Sequence, residues 1–288
     1  MAPMGVSVSR GRVLLCILLT TGMIYYLYSR FGSSGLRSGE TKVDLRQLLS
    51  LAIRAAEEGG KAVREVKESD SLHQRSKGKT KEGADEMVTS GDLLSHRRMT
   101  SLFSNTFPGI KLISEEHDNA EVDKSLTWNY EIPTLIQESI DARMVPTKAI
   151  TIWIDPLDAT QEYTEDLKHF VTTMVCIAVR GKPIIGVIHK PFSKYTGYKV
   201  LSLLDTREDI QPDSADLYIH VTFIKKWDIC AGNAILKALG GQMTTIDGNN
   251  IDYSDSPSNT GGLVATVGID HHALLKRLPD LKNLAPKM

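Results

Sequence analysis

The sequence predicts an α/β fold of stacked helix and sheet layers behind an apolar N-terminal segment. Three observations lead there: β-branched runs that end near carboxylates, at Ile110–Ile113 and Ile150–Ile154; helical periodicity over 43–66 and after 228; and an uncharged stretch from Val13 to Tyr28. With 288 residues, 41% hydrophobic and 24% charged, the chain can bury one substantial core or two coupled subdomains.

Residues 1–12 read as a short tail. The run 13–28 carries no charge and lies between Arg10 and Arg12 on one side and Arg30 on the other. A full helical span takes about 20 residues, so this transmembrane segment suits a thin membrane of the secretory pathway. Tyr25, Tyr26 and Tyr28 resemble an interfacial belt. An uncleaved signal anchor is the favoured reading, because the run exceeds a usual signal-peptide core of roughly 7–15 residues; cleavage near Gly32-Ser33-Ser34 is the alternative. Residues 29–42, rich in Gly and Ser, read as a flexible stalk, and the folded part begins near Val43.

From Val43 to Val66, Leu45, Leu48, Leu49, Ala52, Ala55, Ala56 and Val63 recur at helical spacing, interrupted by Gly59-Gly60. That predicts a long amphipathic helix packed on a sheet. The polar run Ser76-Lys77-Gly78-Lys79-Thr80 ends like a P-loop, but His73 stands where that motif needs its first glycine. A mobile flap and a solvated surface loop both fit it. Ile110–Ile113 predicts a strand running into Ser114-Glu115-Glu116. Residues 119–148 form a polar insertion with Trp128, Tyr130 and Pro133, expected as a peripheral loop with some helix.

Ile150 to Ile154 predicts a buried strand stopped by Pro156, which holds Asp155 and Asp158 together at its end. Carboxylates held close repel unless a cation lies between them, and Mg²⁺ takes oxygen ligands while keeping waters for a phosphate to displace. Metal binding and ordinary turn capping beside Pro both satisfy this local pattern. Asp228 opens a second helical pattern through Ile229, Ala231, Ile235, Leu236 and Leu239, which stops at Gly240-Gly241. As an N-cap or as a ligand, its carboxylate suits the positive end of a helix. Cys176 falls in a strand and Cys230 near a helix start; they imply no disulfide, only small buried side chains.

The chain carries 34 Lys and Arg against 35 Asp and Glu, net −1. Its first 40 residues hold Arg10, Arg12, Arg30, Arg37 and Glu40, leaving 30 bases against 34 acids, −4, in the remainder. That balance argues against a nucleic-acid polymer as partner. A small phosphorylated substrate needs only bound metals and a few lysines.

Taken in order, Glu115-Glu116, Asp155-Pro156-Leu157-Asp158-Ala159-Thr160 and Trp227-Asp228-Ile229-Cys230-Ala231-Gly232 resemble the lithium-sensitive, magnesium-dependent inositol monophosphatase superfamily. Ser76–Thr80, Thr89-Ser90-Gly91-Asp92, Gln161–Leu167 and Ala215–Thr222 are similar to its vertebrate Golgi branch, which acts on adenosine 3′,5′-bisphosphate. The resemblance covers nearly everything from Val43 to Leu281. It implies a layered αβαβα sugar-phosphatase-like fold and a phosphomonoesterase that removes the 3′-phosphate to give AMP and phosphate. The implied place is the Golgi lumen, in support of sulfation and glycosaminoglycan synthesis; inositol-phosphate hydrolysis is the alternative activity. Luminal placement rests on the resemblance, because flanking charge is nearly even.

The same resemblance implies two or three Mg²⁺ ions, one on Glu115, Asp155 and the Leu157 carbonyl, a second on Asp155, Asp158 and Asp228. Asp92 and Thr160 correspond to the pair that orients and deprotonates the attacking water. Thr160, Asp228 and Lys199 correspond to substrate contacts, although Lys199 reads equally as an exposed lysine at a helix start.

The pattern breaks at one place. Only 69 residues separate Asp158 from Asp228, where superfamily members carry nearly twice as many, and the match jumps directly from Thr196 to Gly197. The expected organisation is an N-terminal phosphatase subdomain over 43–196 and a shortened C-terminal subdomain over 197–288, a fold incomplete in its second half. Lost strands leave backbone groups unpaired and apolar faces open. The expectation is therefore a weakened link between Asp228 and Asp155 and reduced selectivity for the adenosine moiety. An inactive shortened form, acting as a membrane-tethered interaction protein, is the alternative of another class, and homodimerisation stays open.

Overall fold

The computed structural model describes residues 41–79, 83, 85–118, 120–192 and 217–279, together with the helical positions Thr21, Met23 and Tyr26. The chain divides into two units, Met1–Thr41 and Lys42–Met288. The expected membrane run 13–28 and stalk 29–42 lie almost wholly outside the described residues, as do Lys199 and the junction of 196 with 197. Among the described residues, no helix is long and apolar enough to cross a membrane.

In the second unit, β1 (Lys42–Asp44) leads into α1 (Leu45–Glu68), which the Asp44 carboxylate caps by accepting from the Arg46 amide. The helix continues unbroken through Gly59-Gly60, as the reading of 43–66 as one long helix expects. A Cβ on Gly59 would lie 2.5 Å from Met99 Sδ and 2.6 Å from Ser95 Oγ, so glycine here permits a close helix contact rather than ending the helix. The hairpin β2 (Arg75–Lys79) and β3 (Asp85–Val88) follows, then α2 (Ser90–Thr106), which supplies that contact.

The insertion is less peripheral than its polarity suggests. After β4 (Lys111–Ser114), Leu126 and Trp128 pack against the core beneath α1 and α2. Beyond α3 (Thr134–Ser139), β5 (Met144–Pro146) pairs with β1.

Next comes β6 (Ile150–Asp158), followed by α4 (Thr160–Thr164), β7 (Thr172–Val179) and β8 (Lys182–His189). The central sheet has the order β4-β6-β7-β8, with β4 parallel to β6 and the other pairs antiparallel. Pro156 does not stop β6 as predicted. The strand runs on to Asp158 with a register shift against β7 between Asp155 and Asp158, an irregularity that accommodates the missing Pro N–H.

Alternation along β6 sets the layers. Ile150, Ile152 and Ile154 pack with Leu48, Leu51, Met99 and Leu102 of α1 and α2, whereas Trp153 joins Cys176, Trp227 and Ile229 on the opposite face. Asp155 shares the parity of Trp153. After β9 (Leu217–His220) and β10 (Ile224–Lys225), α5 (Lys226–Ala238) covers that second face. It ends at Gly240-Gly241, the Gly241 amide donating to the Leu236 carbonyl at 2.9 Å.

The remaining elements are β11 (Gln242–Thr244), β12 (Ser258–Asn259), β13 (Leu263–Thr266) and α6 (His271–Leu275). A second antiparallel sheet, β11-β13-β9, presents Met243, Leu263 and Ala265 to α5. On its other face the Thr244 and Thr266 hydroxyls each lie 2.8 Å from a ring nitrogen of buried His271, which docks α6. The succession α1 and α2, sheet, α5, sheet, α6 is the αβαβα order that the resemblance implied.

Cys176 and Cys230 form a disulfide, their Cα atoms 5.6 Å apart, contrary to the expectation of two separate buried side chains. They are 54 residues apart and meet only because α5 lies on β7. Neither local sequence pattern carries that contact.

Candidate active site and metal centre

Three separate elements deliver one carboxylate each. Asp155 lies on β6 at the start of its irregularity, on the face covered by α5. The Glu115 amide donates to the Ile154 carbonyl at 3.0 Å, which extends the β4–β6 pairing by one residue and sets Glu115 beside Asp155. Asp228 stands in the first turn of α5; it is not the N-cap, a position held by Lys225 without a side-chain bond. One oxygen from each of Glu115, Asp155 and Asp228 lies within 4.8 Å of the others.

The 69-residue link between Asp158 and Asp228 therefore does not keep Asp228 from Asp155. Contacts within the described residues seat α5. The disulfide ties it to β7, and the Lys226 amide donates to the Pro257 carbonyl at 2.8 Å. Gly186 of β8 lies so near that a Cβ there would stand 2.2 Å from the Ala231 carbonyl oxygen. Gly186→Ala is expected to cost about 1–3 kcal/mol through this overpacking. Because the clash pushes on α5, Mn²⁺ affinity should fall with the melting temperature; parallel thermal melts and Mn²⁺ titrations check both.

Asp158, Leu157 and Thr160 line a cleft of ≈ 240 Å³ that also reaches Lys77, Glu115 and Asp228. The Ser95 hydroxyl donates to the Pro156 carbonyl at 2.6 Å, and Ala159 takes a left-handed conformation with φ 67° just before α4. This strained corner presents Thr160 to the cleft. The Thr160 hydroxyl reaches two acceptors, Asp92 Oδ1 at 3.0 Å and the Leu157 carbonyl at 3.1 Å. The Thr172 hydroxyl approaches Asp158 Oδ2 at 3.5 Å.

Asp92 is held by the start of α2. Its Oδ2 accepts from the Thr89 amide at 2.7 Å and the Thr89 hydroxyl at 2.6 Å, while Thr89 accepts from the Gly91 amide, a reciprocal cap. Burial pushes the Asp92 carboxyl up to about 7; the Thr89 and Thr160 hydrogen bonds pull the other way and the charge of Glu116 adds to the rise. Burial is also the main cause that raises Glu115, helped by Glu116 and Asp158 and opposed by Lys77.

The donors suit a divalent cation. Three carboxylates from separate elements crowd into one small volume, all hard oxygen ligands of the kind that Mg²⁺ and Mn²⁺ take, with no His or Cys in the cluster. A cationic group already stands at its edge: Lys77 Nζ donates to Glu115 Oε1 at 2.8 Å and to Glu116 Oε1.

Sequence patterns named the carboxylates but overlooked their supports. Lys77 was visible only as part of a polar run, and Ser95, Gly186 and the cysteine pair carried no local signal. The Thr89-Ser90-Gly91-Asp92 spacing matches a capping box, a signal that could have identified the pose of Asp92.

The inositol monophosphatase family model matches residues 44–205 and 210–282. A mouse protein named Golgi-resident adenosine 3′,5′-bisphosphate 3′-phosphatase is 46% identical over 353 residues, covering 98% of this chain and 99% of its own. A zebrafish (Danio rerio) protein named inositol monophosphatase 3 is 47% identical over 336 residues, covering 97% and 98%. Among solved structures, the extragenic suppressor protein SuhB of Bartonella henselae superposes with TM-score 0.52 at 14% identity, over 82% of this chain and 97% of that one, which speaks to the fold alone. The layered fold, the converging carboxylate oxygens and the family-model match over most of the chain agree, and the chain belongs to the inositol monophosphatase family.

Proposed function

We propose that this chain is a Mg²⁺-dependent phosphomonoesterase that removes the 3′-phosphate of adenosine 3′,5′-bisphosphate, giving AMP and phosphate. The convergence of Glu115, Asp155 and Asp228 in the cleft that also holds Thr160 carries the reading, and the name and near-full-length similarity of the mouse relative support the substrate. Glu115, Asp155, the Leu157 carbonyl, Asp158 and Asp228 would hold two or three Mg²⁺ ions. When bound, they supply Lewis-acid stabilisation of the phosphoryl oxygens, a more acidic water and neutralisation of the leaving oxygen. The chain's own part is proton transfer and orientation. Thr160 accepts a hydrogen bond from the attacking water while passing its own proton to Asp92, whose raised carboxyl is a stronger base than an exposed one. Water attacks directly, and no enzyme nucleophile is involved.

The N-terminal run 13–28 is read as a single-pass signal anchor and 29–42 as its stalk, placing the catalytic part in the Golgi lumen, where such an activity would support sulfation. The chain is further read as a shortened form of a 43–196 subdomain joined to a reduced 197–288 subdomain. An alignment of 353 positions against a chain of 288 supports the internal gap. The seating of Asp228 supports retained catalysis over the inactive alternative.

The zebrafish relative's name favours a second reading, inositol-phosphate hydrolysis. The full chain, solubilised in detergent, is assayed for Mg²⁺-dependent phosphate release from adenosine 3′,5′-bisphosphate and from inositol 1-phosphate side by side. Faster release from the bisphosphate is expected. Preference for inositol 1-phosphate would move the assignment to the second reading, and release from neither substrate would sink both.

A further inference from the structure

The β2–β3 hairpin meets the carboxylate cluster through one cation. Lys77, the third residue of β2, pairs with both Glu115 and Glu116, the first of these at 2.8 Å. Otherwise β2 is thinly held, whereas β3 ends on the buried Val88. All five residues of β2 are exposed, its sheet partner is β3, and the pairing shifts register between Ser76 and Gly78. Glu116 is buried yet stands outside the three-carboxylate cluster, and its place in the site is to give the Lys77 ammonium a second acceptor.

Glu115 is therefore claimed twice. One of its oxygens receives Lys77, while the carboxylate also belongs to the cluster that suits a divalent ion. An ammonium and a divalent ion on one carboxylate stand a few ångströms apart and repel strongly in a partly buried site. Without a metal, the same ammonium offsets the mutual repulsion of Glu115, Glu116 and Asp158.

Building on the metal-dependent reading above, we propose that Lys77 is the resident counter-cation of the metal-free cluster, and that a divalent ion taking Glu115 displaces it and releases the β2–β3 hairpin. Metal occupancy and hairpin attachment are thereby coupled: each ion bound at Glu115 must first break a charge-assisted contact. The competition lowers metal affinity below that of the carboxylates alone, and it makes the hairpin report on whether the site is loaded.

Two readouts on the full chain in detergent, neither needing turnover, test this. In Mn²⁺ titrations against a fluorescent chelator, Lys77→Met is expected to bind its first ion about tenfold more tightly than the parent, the scale of one lost charge-assisted hydrogen bond. In hydrogen exchange, Mn²⁺ should accelerate the amides of 75–79 and 85–88 in the parent, whereas in Lys77→Met they exchange fast with or without the ion. Equal or weaker binding by Lys77→Met, with the parent still binding Mn²⁺, overturns displacement and leaves the metal centre standing. A parent that binds no Mn²⁺ overturns both readings.

Discussion

Asp155→Asn abolishes Mg²⁺-dependent phosphate release in the expected result, by about a thousandfold or more, because it neutralises a carboxylate that would hold the metal. Asp155 is almost completely buried at the irregularity of β6, with oxygens from Glu115 and Asp228 close by. An amide there keeps the side-chain shape and removes one charge. Mn²⁺ binding should fall with the rate, whereas the metal-free protein should melt no lower than the parent, since like-charge crowding is relieved. Phosphate release, Mn²⁺ titration and thermal melts in chelator make the three comparisons. Parent-like turnover in a protein carrying Asn at this position would remove the metal centre from the mechanism.

The second large effect belongs to Asp92. Asp92→Asn is expected to lower the rate by about 10²–10⁴-fold, the usual worth of a positioned general base. The pH dependence carries the diagnosis. Its carboxyl is raised to about 7, so as pH falls through that value the metal-free site gains a proton on the group that must accept one. The acid limb of kcat/KM in the parent should thus lie at or below 7, since bound cations favour the charged form. It should be missing from the slow residual rate of Asp92→Asn. Stability moves with the opposite sense. A folded-state value above the unfolded 3.8 means that stability from the protonated form is complete below pH 3.8 and is lost as pH rises toward about 7. In chelator above pH 7, Asp92→Asn should therefore melt higher than the parent. Melts and rate profiles across pH 5–9 on both proteins test the two halves separately.

The fully buried strand at 150–154 and the apolar spacing of 45–63 were legible, because burial on both faces or on one helical stripe leaves a periodic mark in the chain. Pro156 misled because it looks like a local terminator, yet a strand irregularity accommodates it. Gly59-Gly60 breaks the apolar spacing but not the helix, because close neighbours, Met99 and Ser95 of α2 at Gly59 and His189 at Gly60, require small residues there. Cys176 and Cys230 were read as separate because pairing depends on how α5 lies across β7, which no window of either segment contains.

What the sequence by itself determined is the chemistry on offer: hard oxygen donors in three short motifs, a Thr and an Asp that the family resemblance assigns to proton transfer, and a balanced charge compatible with a small phosphorylated substrate. What only the tertiary structure decided is whether those groups meet. The motif order says nothing about how far Asp228 lies from Asp155 once the intervening chain is short. Strand parity puts Asp155 on the α5 face, one further hydrogen bond beyond β4 carries Glu115 alongside, and the disulfide together with the Gly186–Ala231 approach seats the first turn of α5 there. These are contacts between segments far apart in the chain, and their geometry exists only after the layers have packed.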